Sequence, residues 1–230
     1  MDFARIIQIY VVQGFFALFF LYMAYLVLKR GKKSLNIHIS SFYICVTIAG
    51  ILNMIYANIF NQTIVYFLHF MTYYLYCLAM IFLLIFIIIL IKPKQKFSIN
   101  LQFLIIIIYG LLLLGLLLIP EGITINASTN WKPKWNWMFF LYSIIVCSVL
   151  IIIPSIYYSI KIFIGFESDY LKRKWKFFLI GISAYFFLFY GTVVSNTLNN
   201  DTFRFIWSLI SLPTLIALYL IYYGIGRQLE

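Results

Sequence analysis

The sequence predicts an all-α membrane protein, a bundle of seven transmembrane helices. Of its 230 residues, 65% are hydrophobic and only 10% are charged, whereas soluble domains carry about 25% charged residues. The apolar runs are long and continuous, without the polar–apolar alternation of a transmembrane barrel. Because backbone groups in lipid must find their hydrogen-bond partners within the chain, such runs are expected to form helices.

Seven apolar runs reach the roughly 20 residues that a helix needs to cross the hydrocarbon core. They lie at about 6–28, 35–60, 64–91, 97–119, 137–164, 177–198 and 205–223. Together they occupy nearly the whole chain, which predicts a single transmembrane domain, 1–230. The first run is too long for the core of a signal peptide and lacks a small-residue cleavage site, so we expect it to remain as a helix.

The basic residues are divided unequally between the two ends of these runs. Thirteen of the seventeen Lys and Arg residues lie in the first, third and fifth connections or in the C-terminal tail. The other four are Arg5, Lys132, Lys134 and Arg204. Because Lys and Arg favour the cytoplasmic side, the sequence predicts a multi-pass protein of the cell membrane, with the N-terminus outside and the C-terminus in the cytoplasm.

Two basic clusters are candidate contacts for anionic lipid headgroups or for a cytoplasmic signalling protein. Their members are Lys29, Arg30, Lys32 and Lys33 in the first connection, and Lys172, Arg173 and Lys174 before the sixth run. The net charge of +11 is spread over such short juxtamembrane clusters, and nothing resembles a nucleic-acid-binding module. We therefore expect lipid or protein partners and no nucleic acid; the oligomeric state stays open.

No Asp, Glu, Lys or Arg lies deep in any run. This pattern excludes carboxylate proton relays, charged voltage sensors and a retinal Schiff base, which needs a lysine in the last run. The polar residues that do occur, such as Gln8 and Asn58, gather towards the predicted outer end. The inner half has mostly hydroxyl groups, and His38 and Gln102 lie close to the cytoplasmic boundary.

This outer polar level has two interpretations. One is an outward pocket for a ligand, of the kind that bundles form between helices; its candidate residues are Gln13, Asn53, His69, Tyr73, Tyr190, Asn196 and Ser208. The other is a set of interhelical hydrogen bonds that hold the bundle together. His69 is the first candidate for the pocket, because an imidazole titrates near neutral pH.

Several other residue types predict structure more than chemistry. Trp131, Trp135, Trp137 and Trp175 stand near the ends of runs and are expected to form an interfacial aromatic belt. Pro154 and Pro213 lie inside runs and are expected to kink their helices. No catalytic motif, paired carboxylates or metal-ligand spacing occurs, so we predict no enzyme activity, metal or cofactor.

Three stretches carry a family resemblance. They are the basic turn Lys29–Leu35, the basic segment Leu171–Gly181, and the last run with its exit, from Pro213 to Arg227. Over these stretches the chain resembles the seven-transmembrane N-terminal sensor region of some bacterial and archaeal histidine kinases. Such regions normally feed a kinase module, and this chain ends at Glu230 without one. The resemblance thus implies a sensor whose output passes to another protein.

The leading hypothesis is a stand-alone sensor or receptor-like module that binds a small or lipid-like ligand in the outward pocket. It would signal through a partner protein. One alternative is a passive small-solute transporter, in which the polar level lines a path and solute flux needs no partner. Another is a structural subunit of a membrane complex, which would be unstable when made alone.

Overall fold

The computed structural model describes residues 9–10, 13–92 and 97–226. In this part of the chain seven long helices follow one another. We number them α1 to α7: Gly14–Lys29, Ser34–Tyr56, Gln62–Ile91, Ile99–Leu114, Trp137–Gly165, Asp169–Leu198 and Asp201–Ala217. The beginning of the first predicted run and the residues Arg5, Gln8, Lys94, Lys96 and Arg227 lie outside the described residues.

Six of these helices, α2 to α7, are long and apolar enough to cross a membrane. For this criterion α4 includes the 3-10 turn Gly115–Leu118, and α7 continues through Tyr219–Ile221 and the π-turn Tyr222–Gly226. The described part of α1 is apolar but has only 16 residues. The predicted helical class is confirmed, with six helices that can cross a membrane by length and composition.

Among the helix boundaries that differ from the sequence-based ones, two have a local cause. Helix α2 ends at Tyr56 rather than near residue 60, because the side chain of Asn61 already accepts a hydrogen bond from the backbone of Ile64 and caps α3. Helix α6 begins at Asp169, eight residues before the predicted start at 177. Asp169 lies in the first turn, where a carboxylate stabilises the positive end of the helix dipole.

The connection between α4 and α5 folds into a short antiparallel ribbon. Strand β1, Ile123–Thr124, pairs with strand β2, Lys134–Trp135, so that Ile123 lies opposite Trp135. Strands of two residues have no detectable periodicity, so the sequence alone does not predict this ribbon. The ribbon turns the Trp135 side chain into the bundle, where it is 2% exposed.

Helix α3 is the central helix of the bundle. It packs closely against α2, α4 and α5, and the side chain of Tyr185 on α6 donates a hydrogen bond of 2.8 Å to the backbone oxygen of Tyr76. Its second half is almost completely buried, for example at Leu83, Ile85 and Phe86. In lipid this arrangement is held by close packing and interhelical hydrogen bonds rather than by exclusion of water.

The two prolines that were predicted to kink their helices have different surroundings. In α5, a π-turn over Ser148–Ile152 lies directly before Pro154. A proline has no N–H to donate, and a wider turn accommodates the carbonyl that loses its partner. In α7, Pro213 lies inside a helix that continues to Ala217. The irregularity at Pro154 is therefore a π-turn, which sets the direction of the second half of α5.

Candidate ligand cavity

A cavity of about 860 Å³ lies between α1, α2, α3, α6 and α7. At its rim are Lys132 of the α4–α5 connection and the N-terminal residues Asp201 and Arg204 of α7. Its deep end reaches Met80 on α3 and Leu218. The volume falls in the upper part of the range of roughly 300–1,000 Å³ found for small-molecule sites.

Six of the seven side chains predicted for a pocket line this one cavity. They are Gln13, Asn53, His69, Tyr73, Asn196 and Ser208. The seventh, Tyr190, lies elsewhere: its Oη is 2.6 Å from the Oγ of Ser148 in the π-turn of α5. The structure thus brings together residues from five helices, and Tyr190 instead joins α6 to α5.

Two of these residues also hold helices together. The Nδ2 of Asn53 on α2 donates a hydrogen bond to the Oε1 of Gln13 at the start of α1, and both side chains are half-buried. The interhelical interpretation therefore applies to this pair, although both residues also line the cavity. The two interpretations of the polar level are compatible, since a cavity wall in lipid needs such bonds.

His69 is fixed by hydrogen bonds at both ring nitrogens. The indole Nε1 of Trp135 donates to its Nε2 over 3.2 Å, and the Oη of Tyr56 is 3.0 Å from its Nδ1. An indole can only donate, so Nε2 must be the accepting nitrogen. In the neutral ring the proton is then assigned to Nδ1, which donates to Tyr56. His69 thus ties the outer ribbon to α2 and α3.

Trp135 lines the cavity, and its predicted position is wrong. The expected interfacial position is contradicted, because its ring is buried against Tyr73 and Phe139, with ring centroids 4.7 and 4.8 Å away. Trp175 is also buried, and its Nε1 donates to the backbone oxygen of Ser159 over 2.8 Å. Trp137, which is 60% exposed, does have the exposure of a belt residue.

Helix α7 supplies a mainly polar stripe of side chains to the cavity. Asp201, Arg204, Phe205 and Ser208 follow at intervals of three and four residues and therefore share one face of the helix. The hydroxyl groups of Ser208 and Ser211 donate to the backbone oxygens three residues earlier, over 2.7 and 2.9 Å. Their oxygen atoms keep lone pairs with which they can accept a hydrogen bond from a ligand.

The rim is held by contacts between the outer connection and α7. The Nζ of Lys132 forms an ion pair of 2.8 Å with Asp201, whose side chain is largely exposed. The guanidinium of Arg204 donates to the backbone oxygen of Pro133. Among the described residues, two cations and one carboxylate thus meet at the rim.

Beyond the deep end of the cavity the bundle is closely packed. Phe42, Tyr43, Leu83, Phe86 and Ile182 are at most 1% exposed in this inner half. Further from the cavity, the Nε2 of His38 is hydrogen-bonded to the Oε1 of Gln102 over 2.7 Å. Within the described residues the cavity is therefore a pocket closed at one end.

The basic clusters lie at the opposite end from the rim, with unequal exposure. Lys29, Lys32, Lys33 and Arg173 are exposed, Arg30 and Lys172 are half-buried, and Lys174 is buried. The guanidinium of Arg30 donates to the Oη of Tyr222, and the Nζ of Lys174 lies 3.8 Å from the ring centroid of Tyr223. These two cations hold the C-terminal π-turn, whereas the exposed ones remain available to lipid or a partner.

No protein-family model matches the chain, no curated protein is significantly similar to it, and no solved structure has a significantly similar fold. Among the residues that the structure describes, no three His, Cys, Asp or Glu side chains form a group that could hold a metal ion. Fold and composition together define a helical multi-pass membrane protein with a closed-ended internal cavity.

Proposed function

We propose that this chain is a sensor or receptor-like module that binds a small or lipid-like ligand in the cavity and signals through a partner protein. The cavity itself carries this proposal. It is large, closed at its inner end, and lined by amide, hydroxyl and aromatic groups from five helices. Convergent polar groups in an apolar concavity are the usual features of a small-molecule site.

The proposed topology has seven spans, with the N-terminus outside the cell membrane and the C-terminus in the cytoplasm. It counts α1 as a span, so the two termini lie on opposite sides. In support of it, Arg30 and Lys174 both contact the C-terminal π-turn and therefore lie at the same end of the bundle. A basic end of this kind favours the cytoplasm. The cavity rim at Lys132 then faces outwards.

A route from the cavity to the basic end runs along α6 and α7. Trp207 of α7 packs over Gly191 of α6, where an added Cβ would overlap the indole ring. Further in, an added Cβ on Gly181 would approach Ile221 to 2.6 Å. A ligand that binds one position of α7 better than another would shift the equilibrium between those positions. The exposed basic residues would then present a changed surface to a partner.

Ligand binding can be tested by the melting temperature of the purified full chain, screened against soluble and amphipathic compounds. Binding raises the melting temperature in proportion to ligand concentration and affinity. We expect a compound to stabilise the wild type and Asn58→Ala, which changes an exposed residue outside the cavity. The shift should be lost in Asn53→Ala and Asn196→Ala. If every stabilising compound acts equally on all four proteins, the cavity is not the binding site.

Signalling can be tested by crosslinking the tagged chain in its native membranes, followed by affinity purification and mass spectrometry. A cytoplasmic signalling protein crosslinked to Lys29, Lys32 or Lys33 is the expected result. A fixed set of membrane subunits would replace the sensor proposal by the assembly alternative. Solute flux in liposomes that contain only this chain would replace the sensor proposal by the transporter alternative. The closely packed inner half of the bundle disfavours that alternative.

A further inference from the structure

The polar side chains of the cavity differ in whether the protein itself provides their hydrogen-bond partners. Asn53, His69 and Ser208 all have partners within the chain. The side chain of Tyr76 on α3 also lines the cavity, but its Oη forms no hydrogen bond with any described residue. The bond with Tyr185 described above uses the backbone oxygen of Tyr76 and not its side chain. The hydroxyl of Tyr76 is therefore available to a ligand.

The hydroxyl of Tyr76 lies where four helices meet. A Cβ placed on Gly50 of α2 would lie 3.8 Å from this oxygen and 3.7 Å from the Cβ of Ala17 on α1. The Oη of Tyr185 on α6 donates to the adjoining backbone of α3 over 2.8 Å. Thr47, one turn before Gly50, donates to the backbone oxygen of Ala17 over 3.3 Å. These contacts hold the walls around the Tyr76 hydroxyl in a defined position.

The walls around this hydroxyl are apolar or aromatic. Phe20, Met80 and Leu218 line the deep end and are at most 3% exposed. On the four helices named above, the walls belong entirely to described parts of the chain, at 17–20, 46–50, 76–80 and 185–189. The charged residues of the described lining all lie at the rim. A charged ligand group at the deep end would lose its hydration without gaining a counter-ion from these walls, which is unfavourable.

An uncharged polar group on the ligand matches this environment better. A phenol can donate one hydrogen bond and accept others, and a polar group that stays without a partner in an apolar environment is unfavourable. A ligand hydroxyl can accept the proton of Tyr76 or donate to its oxygen, and a ligand carbonyl can accept the proton. The apolar and aromatic walls then contact the rest of the ligand, which should be apolar or aromatic as well.

Resting on the proposed function, we propose that the ligand is an uncharged molecule with an apolar or aromatic body and a hydroxyl or carbonyl group. Tyr76 is the residue that selects this group, through a hydrogen bond at the deep end of the cavity. Nearer the rim, Ser195 and Asn196 line the cavity and also form no hydrogen bond through their side chains with described residues. They can hold a second uncharged polar group of the same ligand.

The first test compares three Tyr→Phe variants of the full chain in lipid nanodiscs, without ligand. Tyr76→Phe removes a hydroxyl that has no described partner, so its melting temperature should not fall below that of the wild type. Tyr185→Phe removes the donor of the 2.8 Å bond to α3 and should melt lower. Tyr157→Phe, at a ring that is 61% exposed outside the lining, should melt like the wild type.

The second test measures how four matched probes raise the melting temperature of these proteins as their concentration increases. The probes are 4-hexylphenol, 4-hexylacetophenone, hexylbenzene and the anion 4-hexylbenzoate. Tyr76→Phe should bind the phenol or the ketone about fivefold more weakly than the wild type and Tyr157→Phe do, because one neutral hydrogen bond is lost. Hexylbenzene, which has no polar group, should not distinguish the variants. The wild type should bind 4-hexylbenzoate more weakly than 4-hexylphenol.

Three results would overturn this inference. Equal affinity of Tyr76→Phe and the wild type for both the phenol and the ketone would remove the contact at Tyr76. Tighter binding of 4-hexylbenzoate than of 4-hexylphenol would remove the uncharged ligand class, and a lower melting temperature of unliganded Tyr76→Phe would show that the hydroxyl serves the fold. If another compound then still stabilises the wild type but not Asn196→Ala, the proposed function survives and only the ligand class fails.

Discussion

Replacing Trp135 by Phe isolates the hydrogen bond that fixes His69. The substitution keeps an aromatic ring between Tyr73 and Phe139 but removes the indole N–H that donates to Nε2 of His69 over 3.2 Å. A buried acceptor left without its partner costs about 1–3 kcal/mol. For a chain of this size, each kcal/mol lowers the melting temperature by about 2–4 °C. We therefore expect Trp135→Phe to melt about 2–12 °C below the wild type.

The matched control is Trp137→Phe, which makes the same change two residues away on a ring that is 60% exposed. Its effect on the free energy of unfolding should stay within about 0.5 kcal/mol. A double-mutant cycle with His69→Phe, measured by denaturation in mixed micelles, should give a coupling energy of about 1 kcal/mol between Trp135 and His69. A coupling of zero, or equal effects of the two tryptophan substitutions, would refute this account of the His69 network.

Two further substitutions test the attachment of α7. Gly191→Ala should displace the Trp207 indole and lower the melting temperature, whereas the control Gly165→Ala, with open space where its Cβ would lie, should be neutral or stabilising. Equal melting temperatures for both variants would contradict the packing. Tyr222→Phe removes the acceptor of the Arg30 guanidinium and should cost about 1–3 kcal/mol, measured by denaturation in micelles. No loss would show that this bond does not hold the C-terminal turn.

Composition and run length were sufficient to predict the helical class. Because backbone groups in lipid must form their hydrogen bonds within the chain, long apolar runs are expected to be helices. The helix ends were predicted less well, because they depend on single side chains. Asn61 caps the start of α3. Helix α6 extends past the apolar run to Asp169, since basic residues such as Lys172 are compatible with a helix that continues beyond the membrane.

The candidate site was predicted only in part. A polar residue in an apolar run can be recognised in the sequence, but the direction of its side chain cannot. Asn53 and Asn196 were both expected in the outer polar level, and both line the same cavity. Tyr190 has the same composition signal but points to α5. Trp135 could not be placed, because its burial depends on a two-residue strand pairing with Ile123. Only the packed structure determines those directions.

The central claim is that the polar level forms a cavity open to water from the outside. Its most direct test is thiol reactivity, in a chain whose native Cys45, Cys77 and Cys147 have been replaced. We predict that Ser208→Cys reacts with a membrane-impermeant maleimide added from outside, and that Ile210→Cys, on the lipid side of α7, does not, because maleimides need a hydrated thiolate. A Ser208→Cys that stays unreactive, or that reacts only from the cytoplasmic side, would contradict the account.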